Sequence, residues 1–187
     1  GSMIAGHARL PDTLIARYAR FPDRKPAAPD DCRNRLLNCM EITRPLPSPN
    51  PVEQTDAALL QTAEEVSDAV FRSVPVPPLM REHFWVQSSV FAGCIFPAPV
   101  LQASHFTDVT FRNCDLSNAD LSGCSFQRVE FVECKLVGAN LSEGTWQHVV
   151  FERCKMEFAN FTLGKFRGVR FAGGTMRSVG FDECRFE

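Results

Sequence analysis

Cysteine and histidine are the residues of this 187-residue sequence best suited to chemistry, and the cysteines are evenly spaced. Cys94, Cys114, Cys134 and Cys154 follow one another at intervals of twenty residues, and Cys124 and Cys184 fall midway in the same rhythm. Thiolates act as nucleophiles, as redox pairs or as zinc ligands, and each role needs a specific neighbourhood. A zinc site gathers four donors tetrahedrally, whereas a catalytic thiol needs a base or a cation beside it. The four histidines, His7, His83, His105 and His148, sit in no paired-histidine or nucleophile motif, and the chain has no glycine-rich phosphate loop. Cys32 and Cys39, with His7 and His83, make too sparse a set for a metal. What the cysteines do therefore depends on what makes them recur.

From Phe91 to Phe186 every fifth residue is large and apolar: Phe91, Phe96, Leu101, Phe106, Phe111, Leu116 and so on to Phe186, without exception. Two residues before each stands a small one, such as Cys114, Ala119, Cys124 or Val129. Five steps along an α-helix turn it by roughly 500°, which scatters these residues around its circumference. A strand alternates with period two and fits no better. The pattern instead predicts a chain that turns a corner every five residues. Four sides close a coil of twenty, and coils stack with strand-like spacing. On this geometry the cysteines form columns of parallel, inward-pointing side chains. A column cannot surround a zinc ion. Adjacent coils bring Cα atoms within disulfide range, but parallel vectors oppose the bond. The cysteines then read as small buried hydrophobes, with no catalytic residue, cofactor or metal site expected.

The segments Ala119-Asp120-Leu121-Ser122-Gly123, Ala139-Asn140-Leu141-Ser142-Glu143 and Ala159-Asn160-Phe161-Thr162-Leu163 resemble the A-(D/N)-L-x-x pattern of pentapeptide repeat proteins. The resemblance spans residues 89–187. It implies an all-β solenoid, a right-handed quadrilateral β-helix, here of about five coils, and it implies no shared catalytic site.

Before residue 90 the composition changes. Eleven of the 13 prolines precede Phe91, and nine of the 11 glycines follow residue 90. Gly1 and Ser2 read as an expression scar, residues 3–85 as an irregular, partly helical, Pro-rich N-terminal extension, and 86–187 as the β-helix. Leu14, Ile15, Tyr18 and Phe21 suit one helical face, and Leu36, Leu37 and Met40 another. Residues 44–51, RPLPSPNP, predict an extended linker. A helix near 51–73 is expected beyond it. Asn50 suits the cap, Pro51 the first turn and Glu53 a capping box, while Leu59, Ala63, Val66 and Val70 share a face. This helix is expected to pack on the first coil.

The net charge of −2, shared evenly between the two parts, points to no polyanion partner. No apolar run suits a membrane span, and nothing resembles a signal peptide. A cytoplasmic setting is the expectation, without direct binding to nucleic acid or membrane. Some members of the family that the repeats resemble mimic DNA and bind gyrase, which requires an acidic stripe. Here the outward columns mix Asp115 with Lys135 and Lys155. More telling are the outward apolar residues Val132, Val137, Val150, Phe158 and Leu163. They either lie beneath the N-terminal segment or form a partner-binding surface. Phe181 and Phe186, in the last coil, suit an end-to-end homodimer. The expected function is a non-enzymatic, protein-binding scaffold. It would serve as an inhibitor, immunity or protective factor for a partner such as a toxin nuclease or gyrase. A secreted bacterial effector, or its β-helical targeting domain, is the alternative.

Overall fold

The structure is a computed structural model that describes residues 42–187. The two helices expected before residue 41, together with Cys32, Cys39 and His7, lie outside the described residues. The chain forms strands β1 (Val52–Gln54), β2 (Glu65–Ser67), β3 (Ala69–Arg72), β4 (Trp85–Gln87), β5 (Val90–Ala92), β6 (His105–Arg112), β7 (Ser125–Val132), β8 (Thr145–Glu152), β9 (Lys165–Arg167), β10 (Arg170–Ala172) and β11 (Arg185–Phe186). One short helix, α1 (Leu59–Thr62), sits between β1 and β2. All pairings are parallel, and from β2 onward partners are twenty residues apart, as in Phe106↔Phe126 and Phe131↔Phe151. The result is a four-sided solenoid of about seven coils.

Corners explain the beat of five. From Asp68 to Glu183 every fifth residue has positive φ, Pro78 excepted, because proline fixes φ near −65°. Left-handed backbone at each corner redirects the chain while the central residue of each side points inward. The first face carries Val66, Val86, Phe106, Phe126, Trp146, Phe166 and Phe186. The second carries Phe71, Phe91, Phe111, Phe131, Phe151 and Phe171. On the third and fourth faces the strands shrink to single bridges, such as Asp115↔Lys135 and Asp120↔Asn140. Coil spacing dictates ring spacing. Phe91, Phe111, Phe131 and Phe151 stack with centroids 4.9 to 5.1 Å apart and planes within 10°. Large and small inward residues also trade volume. At Gly144 an added Cβ would lie 2.7 Å from the Trp146 indole nitrogen, so the larger ring takes the space that a neighbour gives up. A narrow void of about 20 Å³ in the first coils is lined by apolar side chains and has room for no ligand.

Coiling begins well before residue 86, and this corrects two expectations. The solenoid has about seven coils where about five were expected, and residues 51–73 are not one helix. Leu59 and Ala63 pack against the core and Val66 lies in it, whereas Val70 is buried but sits on the outward side of β3 between the inward Ala69 and Phe71. Leu59 belongs to the single turn of α1 and Ala63 follows it, whereas Val66 and Val70 sit in β2 and β3. Stacking on 85–87 and 90–92 outweighs a weak local helix preference. Asn50 caps nothing; the helix starts at Ala58, whose N–H donates to the Asp56 carboxylate.

The beat is hidden here by Arg81, which occupies an inward position of the fourth face. Its guanidinium donates to the carbonyls of Leu60 and Ala63 at the end of α1 and lies 4.3 Å over the Phe84 ring. Ala57 and Leu60 close the first coil with 0% and 1% exposure. This helical turn covers the apolar interior at the start of the solenoid, as repeat architectures require.

Candidate partner-binding surface

The cysteines occupy the inward columns that the repeat assigns them. Cys94, Cys114, Cys134 and Cys154 are buried behind the third face, and each thiol donates weakly to a carbonyl of the coil below, as Cys114 does to Phe91 at 3.4 Å. All six described cysteines are free. Burial pushes the Cys124 thiol up to about 12 and that of Cys184 to about 11, far from a reactive thiolate at neutral pH. His105 faces outward and stacks on Trp85 at 4.0 Å. His148 sits at a corner between the first and second faces.

The five outward apolar residues separate into distinct places. Val150 is 1% exposed and is not a free surface. Its column on the second face also holds Glu130, and residues 42–48 lie over this region as an extended strap. The Leu46 N–H donates to Asp108 Oδ1 at 3.0 Å, Arg44 pairs with Glu130 at 3.0 Å, and the Thr43 N–H meets His148 Nδ1 at 3.4 Å. Val132, also on the second face, is half-buried. Val137 lies on the third face, next to the corner that separates it from the fourth. Phe158 occupies that corner one coil further on and is 68% exposed. Leu163 takes the next corner of the same coil, across the fourth face, and is 45% exposed. Val137 and Phe158 therefore share one corner, Leu163 flanks it, and Val132 and Val150 belong to another side.

Phe158 stands in a left-handed conformation with φ 60°, and Leu163 with φ 62°. The corners above and below Phe158 carry Asn118, Gly138 and Ser178, small residues that suit this backbone. A bulky residue there costs about 1–2 kcal/mol. Because Phe158 is exposed, core packing does not repay that cost.

Some of the charges along the columns pair across coils. Lys135 reaches Asp115 at 3.2 Å, Arg153 reaches Glu133 at 2.8 Å and Arg72 reaches Glu53 at 2.9 Å, mostly across one coil step. Asp108 is gripped by Arg128 through two hydrogen bonds of 2.7 and 2.6 Å. Burial alone would raise the Asp108 carboxyl; the Arg128 guanidinium and the Leu46 N–H outweigh it and hold the group below its ordinary range.

Asp108, Glu130 and the strap were missed by sequence reasoning. One signal was available: Glu130 interrupts an outward column of Val70, Val90, Thr110 and Val150, and an acid in such company needs a partner.

The model for the pentapeptide repeat region matches residues 86–161 and 124–187, together more than half of the chain. The chain belongs to the pentapeptide repeat family. Among solved structures, this pentapeptide repeat chain is similar to a trypsin-treated variant of QnrB1, described as a plasmid-mediated fluoroquinolone resistance protein. Identity is 14% over 72% of this chain and 88% of that one, with a TM-score of 0.41. It is also similar to a pentapeptide repeat protein from the thylakoid lumen of Arabidopsis thaliana, at 22% identity over 56% of this chain and 66% of that one, with a TM-score of 0.34. No curated protein matches the sequence. The family membership accounts for the winding and the corner positions.

Phe181 and Phe186 in the last coil stack on Phe161 and Phe166 at 5.1 and 5.0 Å and stay half-buried, in contrast to the fully buried rings of the middle coils.

Proposed function

We propose that this pentapeptide repeat protein is a non-enzymatic scaffold that binds another protein through the corner formed by Phe158 and Val137, with Leu163 at its flank. The observation that carries this reading is Phe158 itself, an exposed aromatic ring held on backbone that favours small residues. The same left-handed backbone recurs at the other corners, so what singles Phe158 out is a large apolar ring left exposed on one of them. The fold adds rigidity: the rings beneath are stacked and the backbone is bonded from coil to coil, so the corner is presented with little ordering cost on binding.

Within that class we favour an inhibitor, immunity or protective factor, working in the cytoplasm on a partner such as an enzyme that acts on DNA. Six unpaired thiols support a reducing compartment. The paired surface charges favour recognition through the apolar corner over mimicry of a polyanion. Phe158→Asn is the sharpest test, because asparagine suits the left-handed corner. The variant is expected to melt slightly higher, gaining about 1 kcal/mol, and to lose the partner that the wild-type protein retains in affinity capture. Val137→Asp is expected to lose the same partner. Undiminished capture by both variants sinks the reading.

We further propose that a second copy covers Phe181 and Phe186. Sedimentation is expected to show a concentration-dependent dimer that Phe186→Lys converts to a monomer. A wild-type protein that stays monomeric at high concentration removes this proposal.

A further inference from the structure

Residues 42–48 touch the solenoid with a periodicity of three. Ile42, Pro45 and Ser48 are half-buried while the residues between them are exposed, and the two backbone N–H groups that donate to the face belong to Thr43 and Leu46, also three apart. Three residues per turn is the signature of a polyproline II helix, whose rise of ~3.1 Å per residue gives a pitch of ~9.3 Å. The acceptors are His148 and Asp108, two coils apart, a separation of ~9.6 Å at strand spacing. One turn of the strap thus spans two coils, so an extended segment of this kind stays in register across the face.

The face is also built for what it holds. Asp108 and Glu130 are the buried charged side chains among the described residues, with 7% and 5% exposure. Asp108 is fixed by Arg128 from its own column and receives the Leu46 N–H. Glu130 forms an ion pair with Arg44, whose side chain is otherwise exposed. Two carboxylates on an outward face serve no purpose in the core, and both take a partner from the strap.

We propose that this face, running from Asp108 through Glu130 to His148, is a recognition site for an extended, proline-rich segment carrying an arginine. In the state described, the protein's own residues 42–48 occupy it. The ligand class follows from the contacts: polyproline II backbone with unblocked N–H groups three residues apart, and a guanidinium placed for Glu130. The site lies on a different side of the rod from Phe158 and stands independently of the corner. A partner segment of this chemistry competes with the strap.

A labelled synthetic peptide of residues 42–49, ITRPLPSP, tests this with the full chain. In the double variant Arg44→Glu/Leu46→Pro the strap loses its cation and one N–H donor while the face is intact. The peptide is expected to bind this variant at least roughly tenfold more tightly than the wild-type chain, because the tethered competitor is gone. A peptide with glutamate in place of the arginine is expected not to bind, and adding Glu130→Arg to the double variant is expected to restore binding of that charge-reversed peptide. Should the double variant fail to fold, the wild-type chain decides. Excess peptide is expected to speed hydrogen exchange at the Thr43 and Leu46 amides, since it takes their acceptors. Absence of peptide binding to the folded double variant, or, failing that variant, unchanged exchange in the wild-type chain, overturns the proposal and leaves the strap a structural clamp.

Discussion

Gly174→Cys, a change that adds one more rung to the cysteine ladder, is expected to disrupt the last coils. The column reads Cys94, Cys114, Cys134, Cys154 and then Gly174, so sequence pattern alone marks the substitution as harmless. Geometry reverses that judgement. Gly174 has φ 85°, and a Cβ built there lies 2.0 Å from the Cys154 carbonyl oxygen and 2.7 Å from its nitrogen. Both obstacles are backbone atoms, which cannot rotate away. The substitution is expected to cost about 3–5 kcal/mol, in the range reserved for severe strain. Contacts in a solenoid run only between neighbours, so the loss is confined to the C-terminal end. Hydrogen exchange is expected to show residues 170–187 losing protection while residues 105–152 keep theirs. Full protection throughout contradicts the geometry.

The second large effect is expected in the middle of the rod. Phe131 is 0% exposed and stacks between Phe111 at 5.0 Å and Phe151 at 4.9 Å, with the Phe126 ring against its edge. Phe131→Ala removes a full aromatic side chain from a position where neighbouring backbone is tied from coil to coil and cannot collapse inward. The expected loss is about 3–5 kcal/mol. Each broken stack adds to it, since aromatic pairs contribute about 0.5–1.5 kcal/mol beyond burial. Phe171→Ala, at 8% exposure and with one stacked neighbour, is expected to cost clearly less. Denaturant midpoints of the two variants measure the contrast, and equal losses at both positions contradict the ladder as the source of stability.

Much of the fold was legible because the repeat writes its geometry into every fifth residue. The phenylalanines of the second face announce a corner-turning chain whatever lies between them. Legibility failed where the repeat bends its own rules. Arg81 replaces an apolar residue with a cation whose partners are carbonyls, and nothing in the sequence marks carbonyls as partners. β1 pairs with β3 at a step of seventeen residues, with α1 taking up the difference, so the first coil falls out of the count. Val66 and Val70 fit both a helical face and a pair of strands, and only stacking on the next coil decides between them. At the surface, Phe158 and Leu163 were legible as departures from the polar positions between beats. Val150 looked alike in sequence, yet is 1% exposed. Local pattern cannot distinguish an outward residue that meets water from one that is buried.

Distance along the chain gives the strap a place in time. Thr43 and Leu46 emerge early in synthesis, but their acceptors, His148 and Asp108, lie 105 and 62 residues further on. The Thr43 contact has no counterpart until the coil containing His148 has been wound, so it is among the late events of folding. Closure of the strap thereby records that the coils beneath it are complete and in order.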